Sequence, residues 1–457
     1  MPVPELVTKY KILSRRVASL PSELDAWVEW AAAGNTLERN FSQIRMLDYF
    51  MRALCTLNKD GVGALDLAGD VDVFLDGALT LSENMIKSQA VWSFFRERLE
   101  LRFVPQFRQD LLMADLVSYD CYTTIMDRAE ALGIIFHERL REYPLIGLVT
   151  QCSPATWPRG WRPAALQNRS LPVPVIDLPW DQMVNPWGLL AIAHEVGHDV
   201  DEDLGKLTEA LQPAITARMN ETRIPAGRFV KWQRWTSEIL ADLVGVLLTG
   251  PAFVSTLIEL LMLPRHYVRH ISSTDEHPPP YLRILINAAL VRRLGLSQSA
   301  DALETRWRGF YGEPGDDFGP YLSDIEPVLS AILEAPLDAL RNRQNGQRHS
   351  LSELLTFTPD DQVLIDEAAA GLSDDVLPGK LSIRHVVSVS QVVFEQAVQT
   401  GDPTRLEGLA QLTRQTIIAL SPPGQLAAGV PPRRARQYLE DLARALLEHP
   451  LEDFGSH

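Results

Sequence analysis

The stretch Ala193-His194-Glu195-Val196-Gly197-His198 decides how this chain is read. Two histidines four residues apart stand one above the other on a helix face, so both imidazoles can reach a single ion. Glu195 projects about 100° round the helix from His194, because the helix has about 3.6 residues per turn. Its carboxylate then lies beside the ion instead of on it, where a base for an attacking water belongs. Leu189, Leu190, Ile192 and Val196 can anchor this helix in a core, and Asn185-Pro186 supplies a start, with Asn as cap and Pro in the first turn. Gly197 costs about 1 kcal/mol of helix propensity against alanine, and a small residue there suits close packing against another segment. The five-residue pattern also arises by chance in helices that hold two satisfied histidines, so it needs a third ligand.

A hydrolytic zinc site takes three protein ligands and keeps one position open. The residues after His198 include Asp199, Asp201, Glu202 and Asp203 but no further histidine, and they read as a solvated charge run. The better candidate lies roughly 40 residues on, in Trp235-Thr236-Ser237-Glu238-Ile239-Leu240-Ala241-Asp242-Leu243-Val244-Gly245. Glu238 and Asp242 are one helical turn apart on the same face. Glu238 can ligate Zn2+ while Asp242 accepts the outer N–H of a liganding histidine and fixes its tautomer. The rest of this helix is apolar nearly all round, so two acids within it must be paired, protonated or metal-bound. Ala241 and Gly245 keep the face slim, which lets it approach the first helix.

The surrounding chain has 457 residues, 46% of them hydrophobic and 22% charged, as in an ordinary globular protein long enough for two or three domains. A formal net charge of -16 gives no support for nucleic-acid binding, which wants clustered Lys and Arg. The three cysteines, Cys55, Cys121 and Cys152, form no Cys-x-x-Cys pair and read as small buried hydrophobes. The start of the chain has no apolar signal-peptide core, and the most hydrophobic window, 239–263, is interrupted by Asp242, Glu259 and Gly250-Pro251. The expectation is a cytoplasmic protein without membrane insertion.

Periodicity predicts helices throughout residues 1–142, with Gly61, Gly63 and Gly69 marking a loop. Residues 145–150 and 173–178 read as strands, the second confined to a sheet edge by Pro174, and 154–163 as a Pro/Trp/Arg-rich loop between them. Helices are predicted at 207–219, 229–249, 280–294 and 321–341, a polar linker at 341–350, and helices again over 351–457. The fold class is mostly α with a minimal edge β-sheet.

His194-Glu195-x-x-His198 followed by Glu238-x-x-Ala241-Asp242 resembles the gluzincin class of zinc peptidases, and is most similar to its Ste24/HtpX-like branch. That branch also carries a downstream His-Pro and an arginine, and this chain has Asp275-Glu276-His277-Pro278-Pro279-Pro280-Tyr281-Leu282-Arg283. The resemblance covers roughly 173–294 and departs from the branch in lacking its membrane helices. It implies a zincin-like metallopeptidase core at 143–340 flanked by N- and C-terminal helical regions at 1–142 and 351–457. It also implies that His277 or Arg283 helps to hold the substrate carbonyl or oxyanion, and Tyr281 is a third local donor.

The expected function is hydrolysis of a peptide or protein by activated water with Glu195 as base. Two alternatives stand beside it. One is a regulatory or sensing protein that keeps a peptidase core and cleaves a specific protein partner. The other is a helical interaction protein with structural zinc, although a structural site has no use for Glu195.

Overall fold

The computed structural model describes residues 3–33, 36–135, 142–149, 153–157, 171–272, 274–315, 317–371, 381–401, 403–422 and 433–448. Four long helices come first: α1 (Pro4–Ala32), α2 (Phe41–Gly63), α3 (Val71–Glu100) and α4 (Pro105–Ala131). Proline opens α1 and α4, and the Asp70 side chain caps α3 by accepting from the amides of Asp72 and Val73. Gly61 and Gly63 belong to α2 and not to the loop, because the buried side chains Asn58 and Val62 hold that last turn against its neighbours.

Three short strands follow, β1 (Leu145–Val149), β2 (Ala155–Trp157) and β3 (Val175–Pro179), in the order β1-β3-β2. β1 runs parallel to β3, and β2 antiparallel. Two expectations change here. The strand predicted at 173–178 is central instead of marginal: Pro174 sits just ahead of the paired run, where no ladder N–H is needed, and its carbonyl accepts from Leu145 N. The edge falls to β2, inside the stretch read as a loop; residues 158–163 of that stretch lie outside the described residues.

Helix α5 (Trp180–Val184) and a 3-10 turn over Pro186–Leu190 lead into α6 (Ala191–Asp203). The motif helix therefore starts later than expected. The Asn185 amide donates back to the Asp181 carbonyl at 2.7 Å, closing α5 instead of capping α6. Next come α7 (Leu207–Glu221), α8 (Ala226–Thr249), α9 (Pro251–Leu261), α10 (Arg265–Val268), α11 (Pro280–Arg293), α12 (Ser297–Tyr311) and α13 (Gly319–Glu334).

The helix predicted to reach Arg341 stops at Glu334, and the segment read as a linker is a hairpin of β4 (Leu337–Arg341) and β5 (Arg348–His349). Its turn is specified locally: Asn342 Oδ1 accepts from the amides of Gln344 and Asn345, and Gly346 takes φ +77°. Then follow α14 (Leu351–Leu354), α15 (Pro359–Gly371), α16 (Ile383–Thr400), α17 (Pro403–Ala419) and α18 (Arg433–Glu448). A capping box of Ser350 and Glu353 opens α14.

One hydrophobic cluster runs from Leu111 to Ile417 and is centred on α6, α8, α9, α11 and α16. A second joins α1, α2 and α3 to one face of the sheet and to Leu439, Ala443 and Leu446 of α18. Cys55 and Cys121 are buried, as expected of small apolar side chains, and Cys152 lies outside the described residues. No helix among the described residues is long and apolar enough to cross a membrane. The most apolar window breaks where Gly250-Pro251 separates α8 from α9, with Gly250 at φ +69°.

The contact that places the site is between α6 and α8. A Cβ on Gly197 would stand 2.7 Å from the Ala241 Cα and 3.2 Å from its Cβ, so glycine sets the approach of the two helices. Gly245 serves a different neighbour: it makes room for the Phe253 ring of α9, which a Cβ would meet at 2.7 Å. Gly197→Ala is expected to lower the unfolding free energy by about 1–3 kcal/mol through overpacking. Gly309→Ala, where a Cβ meets nothing within 4 Å inside α12, is expected to stabilise slightly. Denaturant unfolding of the two variants checks the contrast.

Candidate metal centre

Residues 194 and 198 stack on one face of α6, and 238 and 242 on the facing side of α8. The imidazole of His194 donates from Nδ1 to Asp242 Oδ1 at 2.8 Å. That turns its Nε2 inward, 3.3 Å from His198 Nε2 and 3.4 Å from Glu238 Oε2. His198 Nε2 lies 3.4 Å from Glu238 Oε1. Three potential ligand groups thus face one point, and His194, His198 and Glu238 could hold a metal ion between them. Bonds of about 2.0–2.1 Å in tetrahedral geometry separate ligand atoms by about 3.3–3.4 Å, which is the spacing seen. Glu238 Oε2 is buried and has no hydrogen-bond partner, although cationic nitrogens surround it. A buried acceptor in that condition fits a metal.

Behind the ligands lies a second layer. Asp242 is 1% exposed and is gripped by Arg283, whose Nε donates to Oδ2 at 2.6 Å and Nη2 to Oδ1 at 2.7 Å. Asn287 Nδ2 adds a third donor at 3.1 Å to Oδ2. With both oxygens occupied, the Asp242 carboxylate cannot rotate away from His194, so the imidazole keeps its tautomer and its aim.

These contacts set the protonation of the metal-free site. Burial opposes a charge on His194, but the carboxylates of Asp242 and Glu238 outweigh it and push the imidazole up to about 10. Burial and repulsion from His194 push His198 down to about 4. Burial would raise Glu238, yet His194 and His277 hold it well below the usual carboxylate range. Asp242 sits at about 2 because Arg283 and His194 overcome its burial. Glu195 goes the other way: burial lifts it to about 7, with the Glu238 charge adding and His194 opposing.

The three ligands open onto a pocket of about 220 Å³. Glu195 lines it beside His194 and His198; Ala155 and Thr156 of β2 form one wall, and Phe253 and Leu257 of α9 another. Of the residues read as oxyanion donors, His277 lies at the pocket, about half exposed, with Nε2 3.1 Å from Glu238 Oε2. Arg283 also borders the pocket, but its guanidinium is committed mainly to Asp242. Tyr281 is not at the site. It is fully buried and its hydroxyl donates to the Gly312 carbonyl at 2.7 Å. Two positions before Arg283 on a helix is about 200° away, so the two side chains cannot share a face.

The charge run after His198 is also less solvated than expected. Asp199 is fully buried, Asp201 accepts from the Thr208 amide and hydroxyl at 2.7 Å each, and Asp203 accepts from the Tyr122 hydroxyl at 2.6 Å.

Asn287 and the walls contributed by β2 and α9 were missed in the sequence. Asn287 was within reach of the same rule that paired Glu238 with Asp242, since it lies four residues after Arg283. Replacing Asn287 by Leu is expected to weaken metal binding about 10- to 100-fold, measured by competition with a chromophoric chelator. Comparison with family models, with curated proteins and with solved structures gave no match for this chain.

Proposed function

We propose that this chain is a zinc-dependent peptidase. The observation that carries the proposal is the tetrahedral spacing of His194, His198 and Glu238 on the floor of a pocket that Glu195 also lines. Two imidazoles and one carboxylate suit zinc among the common divalent ions. Zinc bound there would activate a water and polarise a carbonyl.

The chain's own groups supply the rest. Glu195 lines the pocket beside the two histidines, where a base for the attacking water belongs. It takes the proton of the attacking water and passes it to the leaving amine. His277 is the better placed oxyanion donor, because Arg283 spends its hydrogen bonds on Asp242. Extended substrate is held by strand addition to β2, which among the described residues pairs only with β3. Phe253 and Leu257 favour an apolar side chain beside the scissile bond. The same chemistry serves a regulatory peptidase with one protein partner. A purely structural zinc is disfavoured by the pocket and by the buried base.

Glu195→Gln is expected to cut peptide hydrolysis by about 10²- to 10⁴-fold while one zinc per chain is retained, as read by a peptide-library assay with metal analysis. Full activity in that variant would sink the mechanism.

Zinc binding is also expected to depend on pH. In the metal-free protein His194 is protonated up to about 10, so binding expels a proton and the apparent affinity climbs with pH across the neutral range. Calorimetric titration in buffers of different ionisation enthalpy reads that proton. The same shift has a stability sign. His194 is raised from 6.5 to about 10 on folding, so its contribution is complete below pH 6.5 and is lost as pH rises towards 10. Melting temperatures in EDTA should therefore fall over that window.

A further inference from the structure

The described part of β2 is held by more than its ladder. Among the described residues it pairs with β3 at three positions, Ala155 with Asp177, Thr156 with Ile176 and Trp157 with Val175. Side chains add to the ladder. Asp177, 3% exposed in the middle of β3, is an acid in an otherwise apolar strand. Arg98 of α3 grips it with both arms, Nε to Oδ1 at 2.9 Å and Nη2 to Oδ2 at 2.5 Å. The Trp157 indole of β2 donates to the same carboxylate, Nε1 to Oδ2, at 3.0 Å.

Arg98 is itself fixed. Its Nη1 donates to the Phe94 carbonyl at 2.7 Å, and its guanidinium lies 3.8 Å from the Phe94 ring centroid. The Phe94 ring in turn meets Trp157 edge-on at 5.9 Å. On the other side of Asp177, Gly147 of β1 leaves the space that the carboxylate and the Arg98 stem occupy; a Cβ there would run into both.

We infer that Arg98, Asp177 and Trp157 form a clamp that positions the substrate-pairing edge over the metal site. The inference rests on the peptidase reading above. Arg98 touches neither the metal ligands nor the pocket; it is a positioning residue acting through Trp157 on Ala155 and Thr156, which do line the pocket. A buried ion pair is weak evidence for stability, since apolar replacements of similar volume are often neutral or stabilising. Its contribution here is alignment: the fork of Arg98 and the indole N–H fix the one strand on which an extended peptide would lie. The helical region before the sheet thereby becomes part of substrate binding.

The test compares Arg98→Met and Trp157→Phe with the unmodified zinc-loaded protein on an extended peptide substrate found by library screening. The expected result is a rise in KM on the order of tenfold, with the change in KM and not in kcat, and with zinc affinity retained. Hydrogen exchange at the amides of Ala155, Thr156 and Trp157 should accelerate in both variants. Trp157→Phe removes the indole N–H and keeps a smaller aromatic ring, so it serves if Arg98→Met does not fold. Unchanged KM with unchanged exchange at β2 would overturn the clamp, as would a loss of kcat and zinc affinity in parallel with melting temperature. Failure of the unmodified protein to cleave any peptide would instead overturn the peptidase reading, and the exchange measurement would still decide whether the clamp holds β2.

Discussion

Everything at the metal centre depends on how near two helices can come. The α6 and α8 backbones meet at Gly197 and Ala241, where a methyl on the glycine would lie 2.7 Å from the opposing Cα. Side chains as short as imidazole and carboxylate converge on one ion only if their backbones are already that close. No ion is needed to draw the helices together, because Leu190, Val196, Leu240 and Leu243 pack in one core. Binding energy can then be spent on the ion instead of on ordering its ligands.

The second layer extends this logic into α11. Asp242, Arg283 and Asn287 form a closed set of charged and polar groups in an apolar core, each satisfied by another except for one amide oxygen of Asn287. Low local dielectric strengthens such bonds, and removing any member leaves a buried charge exposed to its penalty. With the bond from His194 to Asp242 added, α6, α8 and α11 are fixed in relative rotation, which a metal site needs more than it needs raw stability.

The sequence carried the parts of this arrangement that depend on short-range helical geometry. His194 with His198 and Glu238 with Asp242 are both four-residue pairs, and both were readable because one helical turn brings such residues together. The same geometry, applied to α11, separates Tyr281 from Arg283 and pairs Arg283 with Asn287. What was not readable lies in tertiary placement. Pro174 looked like the mark of an edge strand, yet it sits one residue outside the ladder. β2 shows three paired residues among the described ones, too few for an alternating pattern, and is held by side-chain contacts to Asp177 and Phe94. The hairpin at 337–349 looked like a polar linker because the turn residues Asn342 and Gly346 are also what linkers are made of.

The elbow at Gly250 separates two duties that many sites mix. α8 carries Glu238 and Asp242, α9 carries the wall formed by Phe253 and Leu257, and the chain between them turns at a glycine of positive φ that packs against the Phe357 ring. Phe253 couples the two helices, since its ring fills the space left by Gly245 of α8, whereas Leu257 lies one turn further along the wall. The groups that could hold an ion and the side chains that shape the space above them thus belong to different helices joined at a glycine.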